Sequence, residues 1–324
     1  MPSLSLRLPL RPIALWLGGG VLLYAAAVAW SGSAQTLAAV ARIGAAMLLG
    51  GTLCASLAYL LRFTRWHLLL RWLGHRVPVG FNLRVYLAGL ALTSSPGKLG
   101  ETLRSALLLP AGVGLPHSLA AFFADRLSDV VGVAVLGALA ARWLGAPAPV
   151  LEGLALIVIA GSFVARALLK SRVWPIWMAR IDRHSVWGRR VVAVASPASA
   201  WAVVWSVPRT VVCVACAVAA YGVQALVFAA YVDAAGGGLS ALRAVAIFCS
   251  ATLLGAASLV PGGLGTMEAA LILQLTDAGM ERGVAVGAAL ATRLSTLWFS
   301  IVLGALMLLT FSTARQGGMH RTKP

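Results

Sequence analysis

Five residues, Pro261-Gly262-Gly263-Leu264-Gly265, interrupt an apolar run that would otherwise read as one more transmembrane helix. Proline lacks a backbone donor and clashes with the preceding turn, and glycine weakens a helix by about 1 kcal/mol relative to alanine. The helix has to break here. A broken backbone leaves polar groups unpaired, which hydrocarbon does not tolerate, so the break must lie inside protein or line a wet cavity. The chain does this twice. Pro96-Gly97-Lys98-Leu99-Gly100 repeats the pattern, with Glu101 directly after it, as Glu268 follows the later copy three residues on. About thirty residues beyond each copy comes Arg-Leu-Ser (126–128 and 293–295), and then Leu-Gly-Ala-Leu (136–139 and 303–306). Three landmarks in one order, at nearly one offset, define an internal repeat.

The repeat sits in a chain that is 60% hydrophobic and only 11% charged, with mean hydropathy +0.90 over 324 residues. An average soluble domain carries about 25% charged residues. Apolar stretches recur near 13–30, 37–62, 85–109, 116–144, 150–169, 210–231, 241–260 and 284–311. Spanning a hydrocarbon core takes about 20 residues, so the fold class is an all-α polytopic membrane protein with about eight membrane elements. The first stretch, with Arg7 and Arg11 before it, has the look of a secretory signal cleaved near Ala34, but its length fits an uncleaved first span better. The net charge of +17 lies mainly in loops between apolar spans. That distribution fits a positive-inside bias and anionic headgroups rather than nucleic acid. Cys213-x-x-Cys216 has redox spacing, yet all four cysteines fall inside apolar spans, where small apolar packing accounts for them.

Orientation follows from the basic loops. The stretches 62–84 and 170–209 and the tail after 311 are strongly basic and read as cytoplasmic, as do both termini. The turns near Gly145 and Gly236 are nearly uncharged or glycine-rich and read as external. One repeat (about 37–145) then ends outside, where the other (about 210–311) begins, which makes the two inverted. Inverted repeats with paired helix breaks are a transporter pattern, with the substrate site near the midplane. Between them, 170–209 interleaves arginine with tryptophan, as expected either of helices lying at the headgroups or of an ordinary basic loop.

The candidate site gathers around the breaks. Proline suits a first helical turn, so Pro96 and Pro261 each open a half-helix whose free N–H groups and positive dipole end attract an anion. Gly97, Gly100, Gly262, Gly263 and Gly265 either shape those ends or allow close helix packing. Lys98, Glu101 and Arg104 are three apart on one helix face. Arg104, Arg126 and Arg293 are candidates for phosphate contact; Glu101 and Glu268 for helix capping or proton coupling; Asp125 and Asp129 for structural or coupling ion pairs. Charges at this depth need partners, and Glu268 is expected to pair with Arg126 or Arg293 across the repeat interface. No cofactor or metal is expected.

Pro-Gly-Lys-Leu-Gly-Glu-x-x-Arg (96–104), Asp-Arg-x-x-Asp (125–129) and Pro-Gly-Gly-Leu-Gly-x-x-Glu (261–268), in that order, resemble the flippase-like membrane domain of lysylphosphatidylglycerol synthases. That domain also occurs in stand-alone proteins, some encoded with hopanoid biosynthesis. The resemblance covers about 37–311. It implies a bacterial inner-membrane protein that moves a phosphate-bearing or polyisoprenoid lipid between leaflets and partners with membrane lipids or a lipid-biosynthesis enzyme. No transferase domain follows the apolar part, so synthase activity is not carried over and no enzyme is expected. Lys98 stands where arginine is commoner in the family and Asp125 where glutamate is, exchanges that keep charge but bear on headgroup preference. The alternatives are a small-anion carrier, a non-transporting scaffold that recruits an enzyme through 170–209, and an intramembrane enzyme using Asp125 and Asp129.

Overall fold

The computed structural model describes Ala29 and residues 33–92, 99–182 and 184–319. The proposed first span, 13–30, lies otherwise outside the described residues. Regular structure among them is entirely helical: α1 (Ser33–Trp72), α2 (Val79–Leu90), α3 (Leu99–Leu108), α4 (Leu115–Trp143), α5 (Pro149–Leu169), α6 (Val173–Ala179), α7 (Val186–Val204), α8 (Val207–Ala234), α9 (Ala241–Ala257), α10 (Thr266–Asp277), α11 (Arg282–Arg293) and α12 (Phe299–Met319). A π turn, Leu294–Trp298, joins the last two. Helix starts follow the sequence: prolines occupy the first turns of α4, α5 and α8, and Ser185 accepts the Gly188 N–H as N-cap of α7. Among the described residues four stretches are long and apolar enough to cross a membrane, Ala34–Trp72, Pro149–Leu169, Val207–Ala234 and Arg282–Phe311. At 29 residues α4 also has the length, but carries Asp125, Arg126 and Asp129 along its middle.

Contacts along the helices fix their directions. Helix α1 runs antiparallel to α8: Arg42 lies at Gly236, Gly51 at Tyr231, Arg62 bonds Gln224 at 2.7 Å, and Arg209 covers the Trp72 ring at 5.6 Å. Helix α11 runs parallel to α1, with Gly283 on Gln35 and Gly287 on Ala39. Helix α4 begins beside the end of α1, where His75 and His117 ring nitrogens are 2.7 Å apart, and packs lengthwise on α8 with Gly132 on Ala217. The turns after α4 and α8 therefore share one end of the bundle. The opposite end collects Arg71, Arg76, Arg84 and Arg209, with Phe311 of α12 against Phe81.

The segments holding the breaks do not cross. At 1.5 Å per residue the 12 residues of α2 and of α10 reach about 18 Å, short of a hydrocarbon core of about 30 Å. Helix α2 enters from the basic end and α3 returns to it before α4 begins. Helix α9 enters from the other end and α10 returns there, where Met280 packs on Gly237. Two re-entrant hairpins thus point inward from opposite ends. Each leans on the long helix that follows the other one: α2 on α12, where Gly304 lets the Leu90–Ala91 backbone approach, and α9 on α4, where Gly137 admits Cys249.

Two expectations need correction. The stretch 62–84 is not a loop from its start: α1 continues to Trp72, taking Arg62 and Arg65 into the bundle. Arg65 is fully buried because two carboxylates on α4 neutralise it. The segment 170–209 is not wholly superficial either. Its first part, through α6 and the start of α7, exposes Ile176, Trp177 and Trp187, but Ala200, Trp201, Ala202, Val204 and Trp205 are buried in the core against α4. There the Trp205 indole N–H donates to Ser162 Oγ at 2.7 Å.

Candidate functional site

Asp125 and Asp129 are one helical turn apart on α4 and face α1. Arg65 lies between them, its Nε 2.6 Å and Nη2 2.5 Å from Asp125 Oδ1, with Nη2 also 2.6 Å from Asp129 Oδ1. Arg126 closes the other side, at 2.5 Å from Asp125 Oδ2 and 3.1 Å from Asp129 Oδ2. Two carboxylates and two guanidiniums balance, and each aspartate is ion-paired to both arginines.

Two further guanidiniums adjoin this group without a carboxylate. Arg62 bonds the Gln224 side-chain oxygen and lies 4.3 Å over the Tyr221 ring. Arg104, on α3 and 7% exposed, is held 4.3 Å over Tyr86 and 5.5 Å over Trp66. It fits because Gly89 has no Cβ: one built there would come within 2.3 Å of the Arg104 Nε. Among the described residues neither arginine has an acid within 4 Å, and the Nε of each is buried without a hydrogen-bond partner. Tyr86, beneath Arg104, also packs edge-on to Phe63 of α1, the residue next to Arg62, so these cations share one neighbourhood. Among the described residues four cations meet two anions there, two positive charges in excess.

Arg126 has a second distinguishing feature. It lies eleven residues into α4, about 17 Å from the helix start, and 42% of its side chain is accessible. A guanidinium facing hydrocarbon at that depth is costly, so it faces water or a polar ligand.

The later break is organised by Arg293. Its Nε donates to Glu268 Oε1 at 2.7 Å and its Nη2 to the Gly262 carbonyl at 2.6 Å. Glu268 Oε2 accepts the Gly265 N–H at 2.8 Å. One carboxylate thus caps α10 and holds the arginine, which grips the tip of the break. Gly262, Gly263 and Gly265 all take positive φ (64°, 62° and 82°), conformations that favour glycine. The partner of Glu268 here is Arg293, from the same half of the chain. Arg126 is drawn to the aspartates on its own helix face instead, so an Arg126–Glu268 pair across the halves does not form. Tyr59 joins the two neighbourhoods: it lies three residues before Arg62 on α1, and its hydroxyl donates to the Thr296 carbonyl in the π turn that follows Arg293.

Of the residues singled out in the sequence, Arg104, Arg126, Asp125 and Asp129 come together in one place and Gly262, Gly263, Gly265, Glu268 and Arg293 in another. Pro96, Gly97 and Lys98 lie outside the described residues, as do the side chains of Glu101 and Pro261; Gly100 falls within α3. Sequence reasoning missed Arg62, Arg65, Tyr59, Tyr86 and Tyr221. A signal existed for the arginines: Arg62 and Arg65 are three apart, and an unbroken Leu68-Leu69-Leu70 follows them.

A search of curated proteins finds no match to this chain. A family model described as the lysylphosphatidylglycerol synthase TM region matches residues 16–304, a span that holds both hairpins and the site residues described here. The family implies a membrane location and a membrane-lipid-related function. The chain therefore belongs to the lysylphosphatidylglycerol synthase TM region family.

Proposed function

We propose that this chain carries a lipid with a phosphate-bearing headgroup between the leaflets of a bacterial inner membrane. The observation that carries the reading is the cationic excess at the centre of the bundle. Arg62 and Arg104 are buried or half-buried and lack an acid among the described residues, while the aspartates beside them are engaged by Arg65 and Arg126. A phosphate dianion matches that excess, and guanidinium suits its oxygens. Arg126, accessible at mid-depth, gives the headgroup a polar face to meet on leaving the interface.

The two hairpins supply a means of alternating access. They enter from opposite ends and each packs on the long helix following the other, so rocking one unit against its counterpart opens one side as it closes the other. We read these units as inverted repeats, with the basic end cytoplasmic. The sequence has no Gly-x-x-x-x-Gly-Lys-Ser/Thr loop, so the driving force is the lipid gradient or an ion gradient. An enzyme using a divalent cation on Asp125 and Asp129 is disfavoured, because both carboxylates already face guanidiniums.

Purified protein in liposomes tests the reading. Labelled lipids with phosphate-monoester, phosphodiester and uncharged headgroups are followed by accessibility to a membrane-impermeant quencher. We expect accelerated exchange of the anionic lipids, reduced at least tenfold by Arg104→Gln and less by Arg104→Lys. Flux of free phosphate without lipid exchange supports a small-anion carrier instead. No movement of either supports a scaffold, and a change in lipid mass an enzyme.

A further inference from the structure

A cavity of about 410 Å³ opens at the basic end of the bundle, outside the buried cluster. Its wall is made where α1 stops and α2 has not begun: His67 and Arg71 from the last two turns of α1, Arg76 from the connection, and the apolar edge Val77-Pro78-Val79. His67 and Arg71 are four apart and share a helix face. Among the described residues no acid lies within 4 Å of Arg71 or Arg76. We propose that this cavity is a binding site for a phosphate group, and that it loads the carrier from the leaflet at that end. The loading role rests on the carrier reading above; the phosphate site does not.

Three observations support the assignment. First, the cavity combines two guanidiniums and an imidazole with an apolar rim, the surroundings a phosphate meets when an acyl chain or prenyl chain continues from it. Arg71 in the final turn of α1 also complements the helix dipole, but Arg76 lies beyond the helix, where that account does not reach. Second, a chain of contacts leads inward. Asn82 Nδ2 is 2.8 Å from His67 Nδ1, Asn82 Oδ1 accepts the Trp66 indole N–H at 3.2 Å, and Trp66 lies beneath Arg104. Asn82 and Trp66 are fully or almost fully buried, so the cavity wall and the central cluster are fixed to one another. Third, the cations continue: Arg71 and Arg76 at the surface, Arg104 beyond Trp66, then Arg62 and Arg126.

The test reads binding at the cavity, not transport. Val79 is replaced by cysteine in a variant whose four native cysteines are alanine, and is labelled with an environment-sensitive fluorophore. The protein in neutral detergent is titrated with short-chain phosphatidic acid, short-chain phosphatidylcholine and inorganic pyrophosphate, at constant ionic strength. We expect a saturable response to phosphatidic acid and a weak one to phosphatidylcholine. Arg71→Gln with Arg76→Gln should weaken it at least tenfold, Arg71→Lys with Arg76→Lys should retain most of it, and Arg142→Gln, at the opposite end of the bundle, should leave it unchanged. A response to phosphatidic acid stronger than to pyrophosphate supports the loading role. A response to pyrophosphate alone keeps the phosphate site and overturns that role. No saturable response to either, or equal responses in the double glutamine variant, overturns the site. Binding here with no lipid exchange in liposomes would sink the carrier reading and the loading role with it, and leave the phosphate site.

Discussion

Arg293 Nε lies 2.7 Å from Glu268 Oε1, and the same arginine holds the Gly262 carbonyl, so one side chain ties the tip of the later hairpin to the helix that follows it. The pair is buried, with about 6% of the Arg293 side chain and 8% of the Glu268 side chain accessible. Its first task is to shape the tip, because Glu268 also caps α10 through the Gly265 N–H. The half-helix end that a ligand would meet is therefore set by this carboxylate.

Removing Glu268 leaves a buried guanidinium without its acid. In a soluble protein such a break costs roughly 3–5 kcal/mol; in membranes polar groups find other partners, and interhelix values average about 0.6 kcal/mol. Arg293 keeps the Gly262 carbonyl, so Glu268→Gln should insert and fold, lose at most about 2 kcal/mol, and lose most lipid exchange. The reversed pair Glu268→Arg/Arg293→Glu should recover stability relative to Glu268→Arg, and Glu268→Arg/Arg126→Glu should not. Detergent unfolding of the five proteins decides it; rescue by the Arg126 change would contradict the geometry.

Topology makes a second prediction. Single cysteines at Ala146 and Ala234 follow helices that end together, and Ser185 belongs to the other end. With the native cysteines replaced, Ala146 and Ala234 should react with an impermeant reagent from outside and Ser185 only after permeabilisation. Opposite labelling of Ala146 and Ala234 would be incompatible with the helix directions seen here.

The histidine contact at the basic end gives a pH prediction. Burial, and then the neighbouring His117, push the His75 imidazole below its ordinary value of 6.5. The unfolded loop therefore binds more protons than the folded one between that lowered value and 6.5, and stability rises with pH across that window. The contact should be fully present above pH 6.5 and weaken as pH falls. Amide hydrogen exchange of residues 73–77, corrected for its intrinsic pH dependence, should speed up from pH 7.5 to 5.5. His117→Gln should flatten that change; an unchanged profile would show that the pair does not sense protons.

Close approach of the hairpins to the long helices predicts the effect of a side chain at Gly304. A Cβ there would lie 2.1 Å from the Ala91 backbone nitrogen, so Gly304→Val must push α2 away from α12. Insertion should survive, since the helix remains apolar, but lipid exchange should fall at least tenfold. Gly153→Val, where nothing lies within 4 Å of a built Cβ, is the matched control and should be near normal.

The outline of the fold was legible because each break carries proline and glycine, whose backbone effects are local. The basic loops likewise marked one end of the bundle. The length of α1 was not legible. A rule that reads arginines beside an apolar span as loop puts Arg62 and Arg65 in water, and only the two aspartates sixty residues on show that Arg65 has a buried place. Long-range charge pairing leaves no periodicity in the sequence. Glu268 and Arg293 illustrate the same point: both were visible as costly charges, but which arginine met the glutamate depended on how far each hairpin reached. The tyrosines around Arg62 and Arg104 were invisible for a different reason, since an aromatic in an apolar run looks like core until a cation is found above it.

Arg65 provides the sharpest separation of structure from transport. It is wholly buried, bonds both aspartates, and leaves Arg126 to balance what remains. Arg65→Met would leave Asp125 and Asp129 sharing one half-exposed guanidinium. Two carboxylates one turn apart repel once the cation between them is gone, and among the described residues neither Arg62 nor Arg104 lies within 4 Å of either carboxylate. We expect a loss nearer about 3 kcal/mol than the membrane average of about 0.6 kcal/mol, seen as a lowered unfolding midpoint in detergent. Asp125→Asn should cost less, because Arg65 keeps Asp129 and the amide still accepts a hydrogen bond. Adding Asp129→Asn to Arg65→Met should restore part of the stability by removing one uncompensated charge. If instead Arg65→Met unfolds normally yet abolishes lipid exchange, Arg65 is a ligand-contacting cation and not the anchor of the aspartate pair.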